Sequence, residues 1–319
     1  MKTAASHDGT RSQLPATGVR ERIAGRLVGR RRELELLLAA VSTGRNVLLV
    51  GPPGTSKTTL LRAITGEWGV PIVLVEGNAD LTPSKLVGHH SPSRVLADDY
   101  TPENFVDGPL LRAMREGGFL YIEEFNRAPE DTLNTLLTAM ADREITVPRL
   151  GTVAALPSFR VIGSMNPYDN VGTTRLSSSV HDRMCRLVVD YQDRHAELEI
   201  VALRTSPTQK LQVAGLARRL VGDAVAVTRA TREHPDIHQG SSVRGAIDVT
   251  LVAGELLEVR GITAAADRGY ADAVFDAMVV ALSGRIHLEE LADSEPEDVL
   301  RSIWRSHFFA ATGPEAEPG

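Results

Sequence analysis

A glycine-rich loop constrains this chain more than any other feature. The segment Gly51–Thr58, Gly-Pro-Pro-Gly-Thr-Ser-Lys-Thr, directly follows the apolar run 47–50 and directly precedes the helix-forming segment 59–64. Backbone N–H groups at the start of a helix point into one concavity, where they bind phosphate oxygens. A chance Gly/Pro-rich turn is the alternative. However, strand, loop, Lys-Thr pair and helix stand in the order that a phosphate-binding loop requires.

The side chains of this loop indicate its ligand. Lys57 is expected to place its ammonium group between the β and γ phosphates of ATP, and the Thr58 hydroxyl to coordinate Mg²⁺. Ser56 stands where a glycine usually precedes the lysine, and its small side chain still leaves room for phosphate. We therefore predict ATP and Mg²⁺ as cofactors, with nucleotide contacts from Gly51, Pro52, Pro53, Gly54, Thr55, Ser56, Lys57, Thr58 and Thr59.

Short apolar runs that alternate with helical patterns predict the fold class. The runs are 47–50, 72–75, 119–122, 161–165 and 187–189. Nearly continuous apolar strands are typical of a parallel sheet that is buried on both faces. One intervening helix is predicted from apolar residues at helical spacing, namely Leu133, Leu136, Leu137 and Met140. We predict an α/β fold, a P-loop NTPase parallel sheet with helices on both faces, followed by a small all-helical lid domain.

The organisation along the chain follows from the same patterns. Val249, Val252, Leu256 and Val259 are expected to share one face of a lid helix, and so are Val274, Met278 and Leu282. The polar ends lack a sustained apolar period. The predicted divisions are a flexible arm (1–22), the ATPase core (23–193), the helical lid (194–310) and a flexible tail (311–319).

Two adjacent carboxylates end the apolar run 119–122. In a buried strand beside a phosphate loop, one carboxylate would hold Mg²⁺ through its waters, and the other would orient and polarise the attacking water. We assign Glu123 to the metal, with Thr58, and Glu124 to the water. The metal position is usually Asp, so the extra methylene of Glu123 would push its carboxylate further into the site. Two solvated acids at a strand end are the alternative interpretation.

Asn166 follows the run 161–165 and precedes Pro167. Parallel sheets bind ligands at the carboxyl ends of their strands. Asn166 could therefore hydrogen-bond the γ-phosphate or the attacking water, although an isolated Asn-Pro pair indicates only a turn.

The composition of the chain argues against several classes of protein. The formal net charge is −6, which disfavours a dedicated nucleic-acid binder because phosphate neutralisation needs a basic face. The single cysteine, Cys185, excludes an intramolecular disulfide framework and is expected to be a small buried residue. The chain contains no apolar run of membrane-spanning length and no signal-peptide core at its start, so we expect no membrane span and a cytoplasmic location.

These motifs together resemble those of the AAA+ ATPases, and the stretch 123–129 is most similar to the MoxR group, relatives of the magnesium-chelatase ATPase subunit. The resemblance extends over roughly residues 23–310 and rests on Gly51–Thr58, Glu123–Pro129, Asn166-Pro167 and Asp182-Arg183. It implies that Val28 and Gly29 pack on adenine and that Arg244 is the sensor-2 arginine at a lid-helix start. It also implies that Arg183 is an arginine finger for a neighbouring subunit, whereas a helix-end arginine paired with Asp182 is the alternative.

The resemblance also implies partners. A ring-shaped homo-oligomer, a hexamer, would hydrolyse ATP to remodel or activate a client protein, for example in metal or cofactor insertion, beside a partner with a von Willebrand factor A domain. A nucleic-acid motor and a monomeric P-loop kinase or switch are the competing functions. The family carries a β-hairpin insertion in the segment 89–109. From the residues alone we favour a surface loop there and no metal site at His89 and His90, because adjacent strand residues point to opposite sides.

Overall fold

A computed structural model describes residues 18–25, 27–98, 100–168, 176–206, 214–267, 269–290 and 293–309. The chain divides into two compact units. One comprises Met1–Pro52 and Ser56–Asp190, and the other comprises Pro53–Thr55 and Tyr191–Gly319. The predicted tail and the first 17 residues of the predicted arm lie outside the described residues.

The strands of the first unit follow the predicted apolar runs and add two short pairs. In chain order they are β1 (Asn46–Val50), β2 (Ile72–Glu76), β3 (Gly88–His90), β4 (Phe105–Asp107), β5 (Phe119–Glu123), β6 (Glu144–Val147), β7 (Gly151–Ala154), β8 (Arg160–Met165) and β9 (Met184–Val188). Five of them form a parallel sheet in the order β2-β5-β8-β1-β9. The predicted parallel sheet is confirmed, although its last strand begins and ends earlier than the run 187–189.

The described part of the first unit also contains eight helices. They are α1 (Val19–Ala24), α2 (Arg31–Ser42), α3 (Lys57–Trp68), α4 (Pro83–Val87), α5 (Pro92–Asp98), α6 (Pro109–Glu116), α7 (Glu130–Asp142) and α8 (Ser178–Arg183), with 3-10 turns at Pro102–Asn104 and Phe125–Arg127. Alternate residues of β5 enter two different apolar clusters, as expected of a strand buried on both faces. Leu133 and Leu136 of α7 are buried in one of these clusters, and Leu137 and Met140 pack against it.

β3 and β4 form the hairpin-like insertion that the resemblance implies, and Asn104 alone is buried among the described side chains of 88–108, which agrees with the surface position favoured from the residues. β3 and β4 pair antiparallel, and α5 lies between them in the chain. His89 is exposed, whereas the His90 ring packs edge-on against the rings of Tyr100 and Phe105. Among the described residues, no cluster of His, Cys, Asp and Glu could hold a metal ion. A second antiparallel pair, formed by β6 and β7, was not predicted.

Three expectations need correction. The predicted arm 1–22 includes most of α1, in which Val19 and Ile23 are fully buried one helical turn apart. Cys185 is exposed, because it lies on the edge strand β9. Val259 is 81% exposed, because the buried face of its helix runs through other positions, including Ala246, Val249, Ala253 and Leu257.

The second unit is built from helices. They are α9 (Arg194–Thr205), α10 (Ala214–Ala230), α11 (Val243–Val259), α12 (Gly269–Leu282) and α13 (Pro296–Phe309), accompanied by one short antiparallel pair, β10 (Ile237–Gln239) and β11 (His287–Leu288). Val274, Met278 and Leu282 are buried together in its core, as predicted. No helix within the described ranges has both the length and the apolar character needed to cross a bilayer.

Candidate nucleotide-binding site

The predicted phosphate loop connects β1 to α3. It requires left-handed backbone at two positions, Gly54 with φ 76° and Ser56 with φ 69°. Glycine adopts this conformation without penalty, whereas a residue with a Cβ atom pays about 1–2 kcal/mol. The geometry thus explains why glycine usually precedes the lysine and shows that Ser56 takes the glycine conformation.

Lys57 is the first residue of α3, and its ammonium group is held against the loop. Nζ donates hydrogen bonds to the carbonyl oxygens of Gly51 and Pro52, each at 2.7 Å. The cation therefore lies beside the turn from which α3 starts, where helix N-termini favour anions.

Thr58 and Glu123 meet although they are 65 residues apart in the chain. The Thr58 hydroxyl donates a hydrogen bond to Glu123 Oε1 at 2.5 Å. Mg²⁺ prefers oxygen ligands at about 2.1 Å in octahedral geometry, which puts neighbouring ligand oxygens about 3 Å apart. A hydroxyl and a carboxylate this close together fit Mg²⁺, which Thr58 would ligate and Glu123 would hold through its waters.

Glu124 does not share the position of Glu123. Its backbone is left-handed, with φ 51° and ψ 46°, and its side chain is 47% exposed and pairs with Arg127 Nη1 at 3.1 Å. The turn after β5 thus aims the two carboxylates in different directions. Glu123 contacts Thr58, and Glu124 is exposed to solvent.

Gly77 packs its backbone against the acidic turn, a contact that the sequence analysis missed. Its N–H donates a hydrogen bond to the Glu123 carbonyl at 2.7 Å. A Cβ atom at residue 77 would lie 2.4 Å from the Glu124 carbonyl oxygen. Only glycine lets the end of β2 approach the acidic turn this closely, and the Gly-Asn pair after the second apolar run was a signal for it.

Asn166 directly follows β8. Because β8 lies between β5 and β1 in the parallel sheet, Asn166 is at the same edge as Glu123 and the phosphate loop. The Gly51 N–H donates to the Met165 carbonyl at 3.1 Å, which ties this strand end to the loop. Asn166 Oδ1 also accepts a hydrogen bond from the Tyr168 N–H at 3.2 Å. Asn166 therefore forms the turn that an isolated Asn-Pro pair indicates, and it also lies at the edge of the sheet where we predicted it.

A buried tyrosine also belongs to the site and was missed. Tyr121 is fully buried, with its hydroxyl 3.2 Å from Thr58 Oγ1 and 3.0 Å from Ser164 Oγ. Burial raises the pKa of Tyr121 against the opposing effect of its hydrogen bonds with Ser164 and Thr58. The phenol therefore stays protonated at neutral pH.

The other predicted site residues occupy separate elements. Arg183 ends α8 and is exposed, with Nη1 3.3 Å from the Ser179 carbonyl oxygen. Arg244 is the second residue of α11 and is exposed. Val28 and Gly29 lie between α1 and α2, where Gly29 has φ 69°. Their roles at the nucleotide stay predictions.

Similar proteins place this geometry in a family. Residues 46–184 match the AAA domain of the dynein-related subfamily. A gas vesicle ATPase, GvpN, of Haloferax mediterranei is 32% identical over 177 residues, which are 50% of this chain and 51% of that protein. The chain thus spans about half the length of this relative. An uncharacterized protein of Staphylococcus epidermidis is 30% identical over 218 residues, which are 67% of this chain and 80% of that protein.

A solved structure agrees on the fold. A mutant of Thermotoga maritima RuvB has a TM-score of 0.51 and 23% identity, over 80% of this chain and 71% of that one. At this identity the likeness concerns the fold alone. The matching domain model, the phosphate loop, the acidic strand end and the sequence relatives lead to one assignment. The chain belongs to the AAA+ ATPases and is a MoxR-like member of them.

Proposed function

We propose that the protein hydrolyses the β–γ phosphoanhydride bond of ATP and that this cycle remodels or activates a client protein. The observation that carries the proposal is the hydrogen bond between Thr58 and Glu123, which brings a hydroxyl from the phosphate loop and a carboxylate from β5 together. Bound Mg²⁺ would neutralise charge on the β and γ phosphates. In the proposal, Thr58 and Glu123 hold it.

The remaining roles divide among the other residues. Lys57 binds the β and γ phosphates, and Asn166 hydrogen-bonds the γ-phosphate or the attacking water. Glu124 takes a proton from the water as its oxygen attacks the γ-phosphorus, while the bond to the β–γ bridging oxygen breaks and ADP leaves. Arg183 of a neighbouring subunit and Arg244 stabilise the charge that develops on the transferred group.

Substitution of Glu124 tests this proposal. Glu124→Gln removes the base and keeps the shape of the side chain, so we expect ATP binding to persist while turnover falls about 100-fold or more. Binding would be measured by calorimetry with Mg²⁺ and ATP, and turnover by phosphate release. Glu130→Gln makes the same change at an exposed residue in the first turn of α7 and should leave turnover unchanged. Wild-type turnover in the Glu124 variant would contradict the assignment.

The assembly and the client are part of the same proposal. A ring of identical subunits, a hexamer, and a partner with a von Willebrand factor A domain rest on the resemblance to the MoxR group. One relative is named a gas vesicle ATPase. Affinity purification with the Glu124→Gln variant in the presence of ATP would enrich the client, because a complex that cannot hydrolyse ATP stays bound.

A further inference from the structure

A buried glutamate in the second unit pairs with two arginines. Glu197 lies in the first turn of α9 and is only 2% exposed. Its Oε2 is 2.9 Å from Arg229 Nη1, and its Oε1 is 2.8 Å from Arg232 Nη2. A buried ion cluster of this kind is costly to break, and in some proteins it fixes one arrangement of the neighbouring elements. The contacts of the second arginine show which segment this cluster holds.

Arg232 connects the cluster to the turn that precedes α11. Its Nε donates a hydrogen bond to the Ser241 carbonyl at 2.7 Å, and its guanidinium carbon lies 4.0 Å from the centre of the Tyr191 ring. The Tyr191 hydroxyl in turn donates to the Gly240 carbonyl at 2.9 Å. The Ser241 N–H donates to Thr231 Oγ1 at 2.9 Å. Three side chains thus hold two consecutive residues of this turn.

The backbone of the turn is packed as closely as its hydrogen bonds suggest. A Cβ atom at residue 240 would lie 2.7 Å from the backbone nitrogen and Cα of Arg232, so only glycine fits there. On the other side, a Cβ atom at Gly245 of α11 would lie 2.2 Å from Ser241 Oγ. Ser241 itself is 2% exposed. The turn is therefore fixed between residue 232 and the first turns of α11.

The predicted sensor arginine depends on this turn for its position. Arg244 follows Ser241 by three residues and is the second residue of α11. Its side chain is exposed, and within the described residues its guanidinium makes no hydrogen bond or ion pair. The place from which Arg244 extends is therefore set by where α11 begins, and the contacts of Arg232 help to set that point.

We propose that Arg232, held by Glu197, is a positioning residue that fixes the start of α11 so that Arg244 can contact the γ-phosphate. The planar guanidinium suits this task, because its donors lie in a rigid fork that binds a carboxylate and a carbonyl at once. The inference rests on the proposed function, because it assumes that Arg244 meets the transferred phosphate. Its specific consequence is that Arg232 contributes to the binding of a nucleotide only when that nucleotide has a γ-phosphate.

Arg232→Lys tests this, because lysine keeps the positive charge beside Glu197 and loses the fork. Calorimetry with Mg²⁺ would measure the affinities for ADP and for the non-hydrolysable β,γ-imido analogue of ATP. We expect Arg244→Ala to lower the ratio of analogue to ADP affinity about tenfold, and Arg232→Lys to lower it about threefold with ADP affinity unchanged. Adding Arg232→Lys to Arg244→Ala should lower the ratio no further. Arg219→Lys, the same change in an ion pair with Asp223, should leave the ratio as in wild type.

The outcomes separate the inference from the proposed function. If Arg244→Ala leaves the ratio unchanged, the proposed role of Arg244 fails, and the inference fails with it. If Arg244→Ala lowers the ratio and Arg232→Lys does not, only the inference fails. Equal weakening of both nucleotides by Arg232→Lys indicates a general packing role and also overturns it, as does a further fall of the ratio in the double variant.

A milder variant keeps the inference testable if Arg232→Lys does not fold. Tyr191→Phe removes only the hydroxyl that binds the Gly240 carbonyl and keeps the ring against which Arg232 packs. It should lower the ratio of analogue to ADP affinity about twofold in a chain with Arg244 and leave it unchanged in the Arg244→Ala background. A ratio equal to that of wild type in Tyr191→Phe would then overturn the inference.

Discussion

At the residue scale, one residue of the phosphate loop, Ser56, has a strained backbone conformation. Ser56 holds the left-handed conformation that glycine takes without penalty. Relief of about 1–2 kcal/mol of backbone strain outweighs the extra chain entropy of glycine, about 0.4–1 kcal/mol. We expect Ser56→Gly to raise the free energy of unfolding by roughly 0.5–1 kcal/mol, with ATP affinity within about twofold of wild type.

Ser56→Ala is the matched control for this prediction. Alanine removes the hydroxyl and keeps the Cβ atom that causes the strain, so it should show no gain in stability. Urea denaturation followed by circular dichroism would compare the midpoints of the two variants. An equal gain in both variants would mean that the hydroxyl, and not the backbone conformation, is unfavourable.

At the scale of helices and strands, a buried carboxylate ties three helices of the second unit together. Asp223 on α10 accepts hydrogen bonds from Tyr270 on α12 at 2.9 Å and from His307 on α13 at 2.9 Å, and from Arg219 one turn earlier at 2.8 Å. Asp223 is 4% exposed. A buried carboxylate with several donors is costly to disrupt, so this cluster anchors α12 and α13 to α10.

We expect Asp223→Asn to lower the free energy of unfolding by about 2–3 kcal/mol, because asparagine cannot satisfy three donors and leaves the arginine without its charge partner. Asp248→Asn is the control, since it breaks an exposed ion pair with Arg285 that should contribute less than about 1 kcal/mol. Chemical denaturation would measure both variants. Similar losses in the two variants would show that burial does not strengthen the Asp223 cluster.

The Asp223 cluster also makes the free energy of unfolding depend on pH. Burial raises the pKa of Asp223, but the hydrogen bonds from His307, Tyr270 and Arg219 outweigh it and bring the pKa below the ordinary value of 3.8. A lowered folded-state pKa contributes stability that is complete above the ordinary value and is lost as the pH falls through the lowered one. Asp223→Asn should therefore lose less stability than wild type as the pH falls from the ordinary value into strongly acidic conditions.

The sequence predicted the central elements better than the peripheral ones. The runs that became the inner strands β1, β5 and β8 are apolar because these strands are covered on both faces. The edge strand β9 lacks cover on one side, so Cys185 is exposed and the strand boundary was misplaced. Val259, in the last turn of α11, follows the apolar period without being buried. An apolar period in the sequence cannot show where the neighbouring element that buries it ends.

The residues of the candidate site also differ in whether their positions could be predicted from the sequence. Loop and strand-end residues were predictable because their chemistry is encoded by consecutive residues. The contacts of Tyr121 with Thr58 and Ser164 were not, since they depend on three elements that are far apart in the chain. The approach of Gly77 to the acidic turn likewise depends on the pairing of β2 with β5.

At the scale of the whole molecule, the proposed function calls for a cation that reaches the γ-phosphate from a neighbouring subunit. Arg183 ends an exposed short helix, and the proposal assigns it to the nucleotide of a neighbouring subunit. Head-to-tail subunits in a ring present a different surface on each side. Each active interface would then need Glu124 from one subunit and Arg183 from the next.

Mixing of inactive variants tests that arrangement. Arg183→Ala and Glu124→Gln should each lose ATP turnover alone. Random assembly of equal amounts creates, at roughly a quarter of the interfaces, an intact Glu124 facing an intact Arg183, so about that share of wild-type turnover should return. The control replaces the second partner by the double variant Glu124→Gln with Arg183→Ala, which supplies no intact arginine and should restore nothing. Equal turnover in both mixtures, with assembly verified by mass measurement, would mean that Arg183 acts within its own chain or only in packing.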